Sequence, residues 1–259
     1  MEGVTLVKKN HYAVLTVDLP QSRNALSVPV VEYMNTLVDQ VAEDPDLHCL
    51  VLTGGGEKSF IAGADIRKLV EMTPEESRYS IEAGHKLFSK LETMDIPVIA
   101  SVNGYCLGGG LELAMACDIR ICSANARFGL PEINIAMITG WGGTLRLVRL
   151  IGESRAKNML LRGKMITAAE ALDYGLVAEV YDDIAALREK EEELALELAS
   201  KAPITMKLDK RLIYDAAGKQ PTDIAQRDAM TLGFLFTTRD AREGLRAFLE
   251  KRKPVYENR

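Results

Sequence analysis

Apolar residues fall along this chain in two rhythms, short branched runs and longer stretches where they recur every three or four positions, and the two alternate through the first half. Residues 4–8 and 13–18 read as paired strands, 28–41 as an amphipathic helix, and the unbroken run CLVLT at 49–53 as a buried strand. A helix at 75–94, a strand at 98–102, a helix opening on three glycines at 108–110 and a strand at 118–122 come next. This order predicts an α/β fold, and periodicity alone carries it no further. Beyond Gly140 the pattern becomes almost wholly helical, with breaks at Gly163 and Gly175 and one short strand at 176–180. Residues 183–201 read as a charged helix, and three more helical stretches follow Pro203, broken near 218–221 and 237–240. No low-complexity linker intervenes, so residues 196–259 are expected to form a helical subdomain appended to a core of residues 1–195.

The run CLGGGLE at 106–112 carries the first chemistry. Glycine loses more backbone freedom on folding than any other residue, so a triplet entering a helix is a poor choice for packing alone. Placed in a first turn, Gly108, Gly109 and Gly110 present N–H groups without intrahelical partners, at the positive end of the helix dipole and with no Cβ in the way. Such a turn forms half of an oxyanion hole, although it also serves close packing or phosphate binding. Glu112 follows in a run otherwise made of Leu, Ala, Met and Cys. A carboxylate in that company is seldom buried without a task, and burial raises its pKa towards the range of a general acid or base.

A second small-residue turn, FIAGADI at 60–66, follows the strand at 49–53. Ala62, Gly63 and Ala64 let the backbone face a ligand, and Asp65 is placed to cap the next helix. Glu132 lies behind Pro131 with Ile133 and Ile135 beside it, and by itself reads as a surface or capping residue.

Taken together, NAL at 24–26, FIAGADI at 60–66, PVIASVNGYCLGGGLEL at 97–113, CDIR at 117–120, FGLPE at 128–132, GGT at 142–144, AAEALDYGLV at 168–177 and AFLEKR at 247–252 span nearly the whole chain. In these segments the chain resembles the crotonase superfamily, and most of all its enoyl-CoA hydratases. The resemblance implies a spiral of β-β-α units with a C-terminal helical oligomerisation subdomain, assembled as trimers that pair into a hexamer. It implies that the N–H groups of Ala64 and Gly109 donate to a thioester oxygen. It makes Glu112 the base and Glu132 the acid for hydration, reversed for dehydration. Backbone of Ala62, Gly63, Ala64, Asp65 and Ile66 would meet the adenine and ribose side of coenzyme A, with Gly108 beside Gly109 at the thioester. Asn24, Ala25 and Leu26 would line the pantetheine path and Arg23 would meet a phosphate. Phe248 and Lys251 match positions that contact the coenzyme A of a neighbouring subunit. Coenzyme A would be part of the substrate, and no separate cofactor or metal is implied.

The segment ITGWGG at 138–143 departs from the commonest hydratase pattern. Trp141, the single tryptophan, either shapes the acyl pocket or packs beneath it, and residues 72–86 would form the pocket's roof. Other crotonase reactions use the same oxyanion hole: cyclic dienoyl-CoA hydration, double-bond isomerisation, decarboxylation and thioester hydrolysis. An intact pair of glutamates counts against most of them.

Composition narrows the classes further. Net charge of -5 and a pI near 5.4 disfavour a nucleic-acid partner, and the bases at Lys207, Lys210 and Arg211 read as a mixed-charge helix surface. The four cysteines form no C-x-x-C pair and read as reduced, and His11, His48 and His85 fall in no metal-ligand spacing. No G-x-S-x-G, P-loop or G-x-G-x-x-G pattern is present. Without a long apolar run near the start, a cytoplasmic protein with no membrane partner is expected.

Overall fold

The computed structural model describes residues 1–216 and 221–259. β1 (Val4–Lys8) and β2 (Tyr12–Val17) form an antiparallel hairpin. α1 (Val28–Ala42) buries Val30, Val31, Met34 and Val38, one stripe of its expected amphipathic pattern. β3 (Cys49–Gly54) lies parallel to β2 and is buried along its whole length, which its unbroken apolar run requires.

From β3 onward the chain repeats one step. It turns a corner into β4 (Ser59–Ile61), then returns through α2 (Ile66–Leu69) and α3 (Pro74–Thr93) to β5 (Val98–Val102). β6 (Tyr105–Leu107) and α4 (Gly109–Ala116) repeat it towards β7 (Ile119–Ser123) and β8 (Arg127–Gly129). After a 3-10 turn at Pro131–Ile135 come α5 (Gly143–Ile151), α6 (Glu153–Arg162), β9 (Ile166–Thr167), α7 (Ala168–Asp173) and β10 (Glu179–Tyr181). One sheet has the order β1-β2-β3-β5-β7-β10 and the other β4-β6-β8-β9, so from β3 to β8 successive strands belong to alternate sheets and each turn stacks parallel on the last, while β9 pairs antiparallel with β8. This is the spiral of β-β-α units that the resemblance implied.

The corners between sheets are narrow and laced by side-chain amides. Asn103 Nδ2 donates to Gly56 O at 2.8 Å, and Asn125 Nδ2 to Asn103 O at 3.3 Å, linking one turn of the spiral to the next. At Gly104 a Cβ would stand 2.3 Å from Lys58 O, so only glycine lets the two turns touch there.

Four strands were not anticipated: β4, β6, β8 and β9 have three residues or fewer, too few to display a period of two. The strand expected at 176–180 forms only at Glu179–Tyr181, because Leu176 and Val177 leave α7 to pack in the core. Gly108 stands outside α4 as its N-cap, with φ of 51°, leaving Gly109 and Gly110 in the first turn.

α8 (Ile184–Ala199) covers the first sheet with Leu187 and Ala195 against Tyr12, Val51, Ile99 and Ile121, so residue 195 lies within a helix of the core. α9 (Pro203–Ala216), α10 (Pro221–Leu235) and α11 (Arg239–Glu250) complete the helical part. The break expected around Gly218 lies outside the described residues, and the one near 237–240 is the Thr238 N-cap of α11. Lys210 is not the solvated base expected of it. Its ammonium is buried against Asp118 Oδ2 at 2.7 Å and the carbonyls of Leu91 and Ile96 at 3.0 Å, and with Lys207 and Arg211 on Asp95 it docks α9 on the core. Among the described residues no helix is long and apolar enough to cross a membrane.

The corner geometry predicts that Gly104→Ala destabilises the fold by about 1–3 kcal/mol or more. Gly233→Ala, in a helix and with open space at its Cβ, should be neutral or stabilising by up to about 1 kcal/mol. Urea denaturation of the two variants checks the contrast; equal effects would contradict it.

Candidate active site

Two backbone N–H groups open on one cavity. Residues 23–26 zip alongside 62–65 through Ala62 N to Arg23 O, Leu26 N to Gly63 O and Asp65 N to Leu26 O. In this parallel bridge Leu26 pairs with Ala64, which turns the N–H of Ala64 away from Leu26. Gly108 N donates to Gly129 O at 2.9 Å, so the first N–H of the glycine triplet is committed to the fold. Neither Ala64 N–H nor Gly109 N–H has an acceptor among the described residues, and both residues line a cavity of about 260 Å³. Gly109 begins α4, where the dipole favours negative charge.

Glu112 is buried in α4, whose eight residues are all buried, so the helix shields it from bulk solvent and only the cavity reaches it. Its Oε1 instead accepts Trp141 N and Gly143 N, both at 2.8 Å, leaving Oε2 without a protein partner among the described residues. A Cβ on Gly143 would lie 2.8 Å from Glu112 Cγ, so the second donor reaches the carboxylate only because residue 143 is glycine. Burial pushes the Glu112 carboxyl up to about 7. The two backbone donors oppose that rise, and the nearby Glu132 adds to it while Arg146 subtracts.

Glu132 sits in the 3-10 turn that Pro131 opens, and Ala136 ends that turn in a left-handed conformation. Its Oε2 is buried without a partner among the described residues, and burial raises its pKa as well. A Cβ on Gly108 would stand 3.1 Å from Glu132 Oε1, so this glycine makes room for the second carboxyl group.

Trp141 packs beneath the site and lines it. Its indole fits between Gly84 of α3 and Gly109, where an added Cβ would come within 2.2 Å and 2.3 Å of the ring respectively. Nε1 donates to Ser80 O at 3.1 Å, and Phe88 meets the ring edge-on. Ile66, Leu69, Ile81, Ile135, Met137 and Ile138 supply most of the remaining apolar wall, with Ser77 and Ser80 from the expected roof.

The structure brings Gly63, Ala64, Ile66, Gly108, Gly109, Glu112, Glu132 and Trp141 to the cavity wall. Arg23, Asn24, Ala25, Leu26 and Ala62 form the adjoining zipped strip rather than the wall, and Asp65 caps α2 by accepting Arg67 N. Asn24 is buried with Oδ1 on Leu19 N and Nδ2 on Ser59 O, so its side chain holds the strip together. Phe248 and Lys251 are not part of the wall and lie exposed at the end of α11. Gly84 and Gly143 were missed as site residues; the need of a buried Glu112 for donors was the signal that pointed to the glycines at 142–143.

The sequence profile of the Enoyl-CoA hydratase/isomerase family matches residues 8–259. The chain is similar to a short-chain-enoyl-CoA hydratase of Clostridium acetobutylicum, 40% identical over 98% of this chain and 97% of that protein. It is 39% identical to a crotonyl-CoA hydratase of Syntrophomonas wolfei, over 97% of this chain and 96% of that protein. Its fold superposes on the crystal structure of an enoyl-CoA hydratase from Bacillus anthracis with a TM-score of 0.96 and 36% identity, covering 100% of both chains.

A raised carboxyl pKa makes folding depend on pH. The folded chain keeps the Glu112 proton up to about 7, whereas the unfolded chain releases it near pH ~4.3. The stability this group contributes is therefore full below the unfolded value and lost as pH rises through the folded one. Glu112→Gln should gain stability relative to the parent by about 2–3 kcal/mol between pH 5 and pH 8 in urea denaturation. A difference that does not change with pH would contradict a buried titrating carboxyl group.

Proposed function

The chain belongs to the enoyl-CoA hydratase/isomerase family, and from that premise we propose that it is an enoyl-CoA hydratase, adding water reversibly across the 2,3 double bond of a short-chain enoyl-CoA thioester. The observation that carries this reading is two buried carboxyl groups and two unpartnered N–H groups on one small apolar cavity.

In the proposed reaction the thioester oxygen accepts from Ala64 N–H and Gly109 N–H, which stabilise the enolate-like charge that forms when oxygen adds to C3. Each such donor is worth about 2.7–4 kcal/mol in a transition state. Ionised Glu112, anchored through Oε1, takes a proton from water at its free Oε2. The hydroxyl oxygen bonds to C3, the electrons of the double bond move towards the thioester, and a proton carried on Glu132, whose pKa burial raises, passes to C2. Dehydration runs the same steps in reverse. Two carboxyl groups flanking one cavity count against most of the isomerisation, decarboxylation and thioester-hydrolysis alternatives. An apolar wall with Trp141 at its base suits a short apolar acyl chain, in keeping with the names short-chain-enoyl-CoA hydratase and crotonyl-CoA hydratase of the two similar proteins.

For assembly, exposed Met230, Leu232 and Phe234 on α10 and Phe248 and Leu249 on α11 support a trimer or a pair of trimers. In such an assembly Phe248 and Lys251 would reach the coenzyme A held by a neighbour.

Two measurements check these readings. Loss of the ultraviolet absorbance of crotonyl-CoA should be rapid with the parent chain and roughly 10²–10⁴-fold slower with Glu112→Gln or Glu132→Gln, KM changing little. Substantial turnover in either variant overturns the two-carboxylate mechanism. Light scattering should give a mass of three or six times the 28.5 kDa chain, and a monomer would overturn the assembly.

A further inference from the structure

The loop that holds Glu112 is rich in glycine, and the packing of the Trp141 ring anchors its side chain more directly than its peptides. Gly140, Gly142 and Gly143 flank Trp141, and Gly142 takes a φ of 90°. Glycine adds backbone freedom, yet Trp141 N and Gly143 N must hold Glu112 Oε1 in one place if Oε2 is to meet water correctly.

A restraint on the peptides themselves comes from α5. Arg146 Nη1 donates to Trp141 O, on the peptide that follows the Trp141 N–H donor. The other two edges of the guanidinium form a bidentate pair with Glu92 of α3, Nε to Oε1 and Nη2 to Oε2, both at 2.8 Å. Both partners are largely buried, with 9% and 16% of their side chains exposed. Phe88 lies under the guanidinium, 5.9 Å from its carbon, and meets Trp141 edge-on. A planar fork locked this way has one orientation, which a lysine cannot reproduce.

From this geometry we infer that Arg146, oriented by Glu92, is a positioning residue for Glu112: it fixes the 140–143 loop so that the carboxylate is held through one oxygen and works through the other. The inference rests on the hydratase reading and adds to it a residue that touches no reacting atom. Arg146 also faces Glu112 as a positive charge, opposing the rise that burial and Glu132 impose. The other titratable groups at this junction are Glu92 and His85, both on α3, His85 lying beside Gly142.

The test compares Arg146→Met, Arg146→Lys and Glu92→Gln with the parent in crotonyl-CoA hydration across pH, after circular dichroism has established folding. Arg146→Met should lower kcat by roughly 10²-fold while KM stays within about threefold, as expected for misplacement of a catalytic group. It should also move the acid limb of the rate profile to higher pH. Arg146→Lys, which keeps charge but not the fork, should leave the acid limb near the parent's and recover kcat only in part. Should Arg146→Met fail to fold, Glu92→Gln carries the test through the same loss of kcat at constant KM. Parent-like kcat and acid limb in a folded Arg146→Met, or in Glu92→Gln where Arg146→Met does not fold, would overturn the inference. If the parent itself does not hydrate crotonyl-CoA, the hydratase reading fails. Infrared titration of the Glu112 carboxyl, identified by its loss in Glu112→Gln, then decides the positioning role: a shift in the Arg146 variant supports it and an unchanged titration overturns it.

Discussion

The site depends on a carboxyl group removed from water and held at one oxygen by two backbone N–H groups. Glu112 sits in a helix buried on every side, and a charge there without compensation would be strongly disfavoured. The donors of Trp141 and Gly143 compensate it enough to let it ionise near neutrality, yet burial keeps its pKa at about 7. That balance suits the base proposed for hydration near pH ~7. It also dictates the residues around it: glycine at 143 so that the peptide can approach, and a loop held firmly enough for its N–H groups to point inward.

The spiral explains why the parts converge. Each turn leaves the first sheet at a tight corner, adds a strand of at most three residues to the second, and returns through a helix. β4, β6 and β8 therefore end side by side, and the residues just beyond their ends form the site: Ala64 after β4, Gly108 and Gly109 after β6, Glu132 after β8. A parallel stack places groups from distant parts of the sequence on one edge without a long loop. Glycine at 84 and 109 lets the indole of Trp141 lie between two helices, so Gly109, whose N–H faces the cavity, rests on an aromatic floor.

Much of this was legible in the amino-acid sequence. Glu112 stood out because a charge in the run LELAMAC needs a reason, and the glycine triplet because helices seldom begin with three residues of poor helix propensity. Long strands and helices declared themselves through period. The second sheet did not, since three-residue strands have no period to read. Gly84 and Gly143 escaped because they act through a missing side chain against partners remote in sequence. Arg146 and Glu92 lie 54 residues apart, and nothing in either local pattern marks the pair. Glu132 became a site residue only through the family resemblance, because taken singly it reads as a surface group.

The proposed hydration requires above all that Glu112 titrate near neutrality while serving as the base. The measurement is kcat/KM for crotonyl-CoA hydration by the parent chain between pH 5 and pH 9, which reports the ionisations of the free enzyme. The expected result is a rate that rises with pH through an acid limb centred at about 7 and carried by this one carboxyl group. A rate already at its plateau at pH 5 would mean that Glu112 ionises as an ordinary surface carboxylate, and would contradict the buried, singly anchored base on which the mechanism rests.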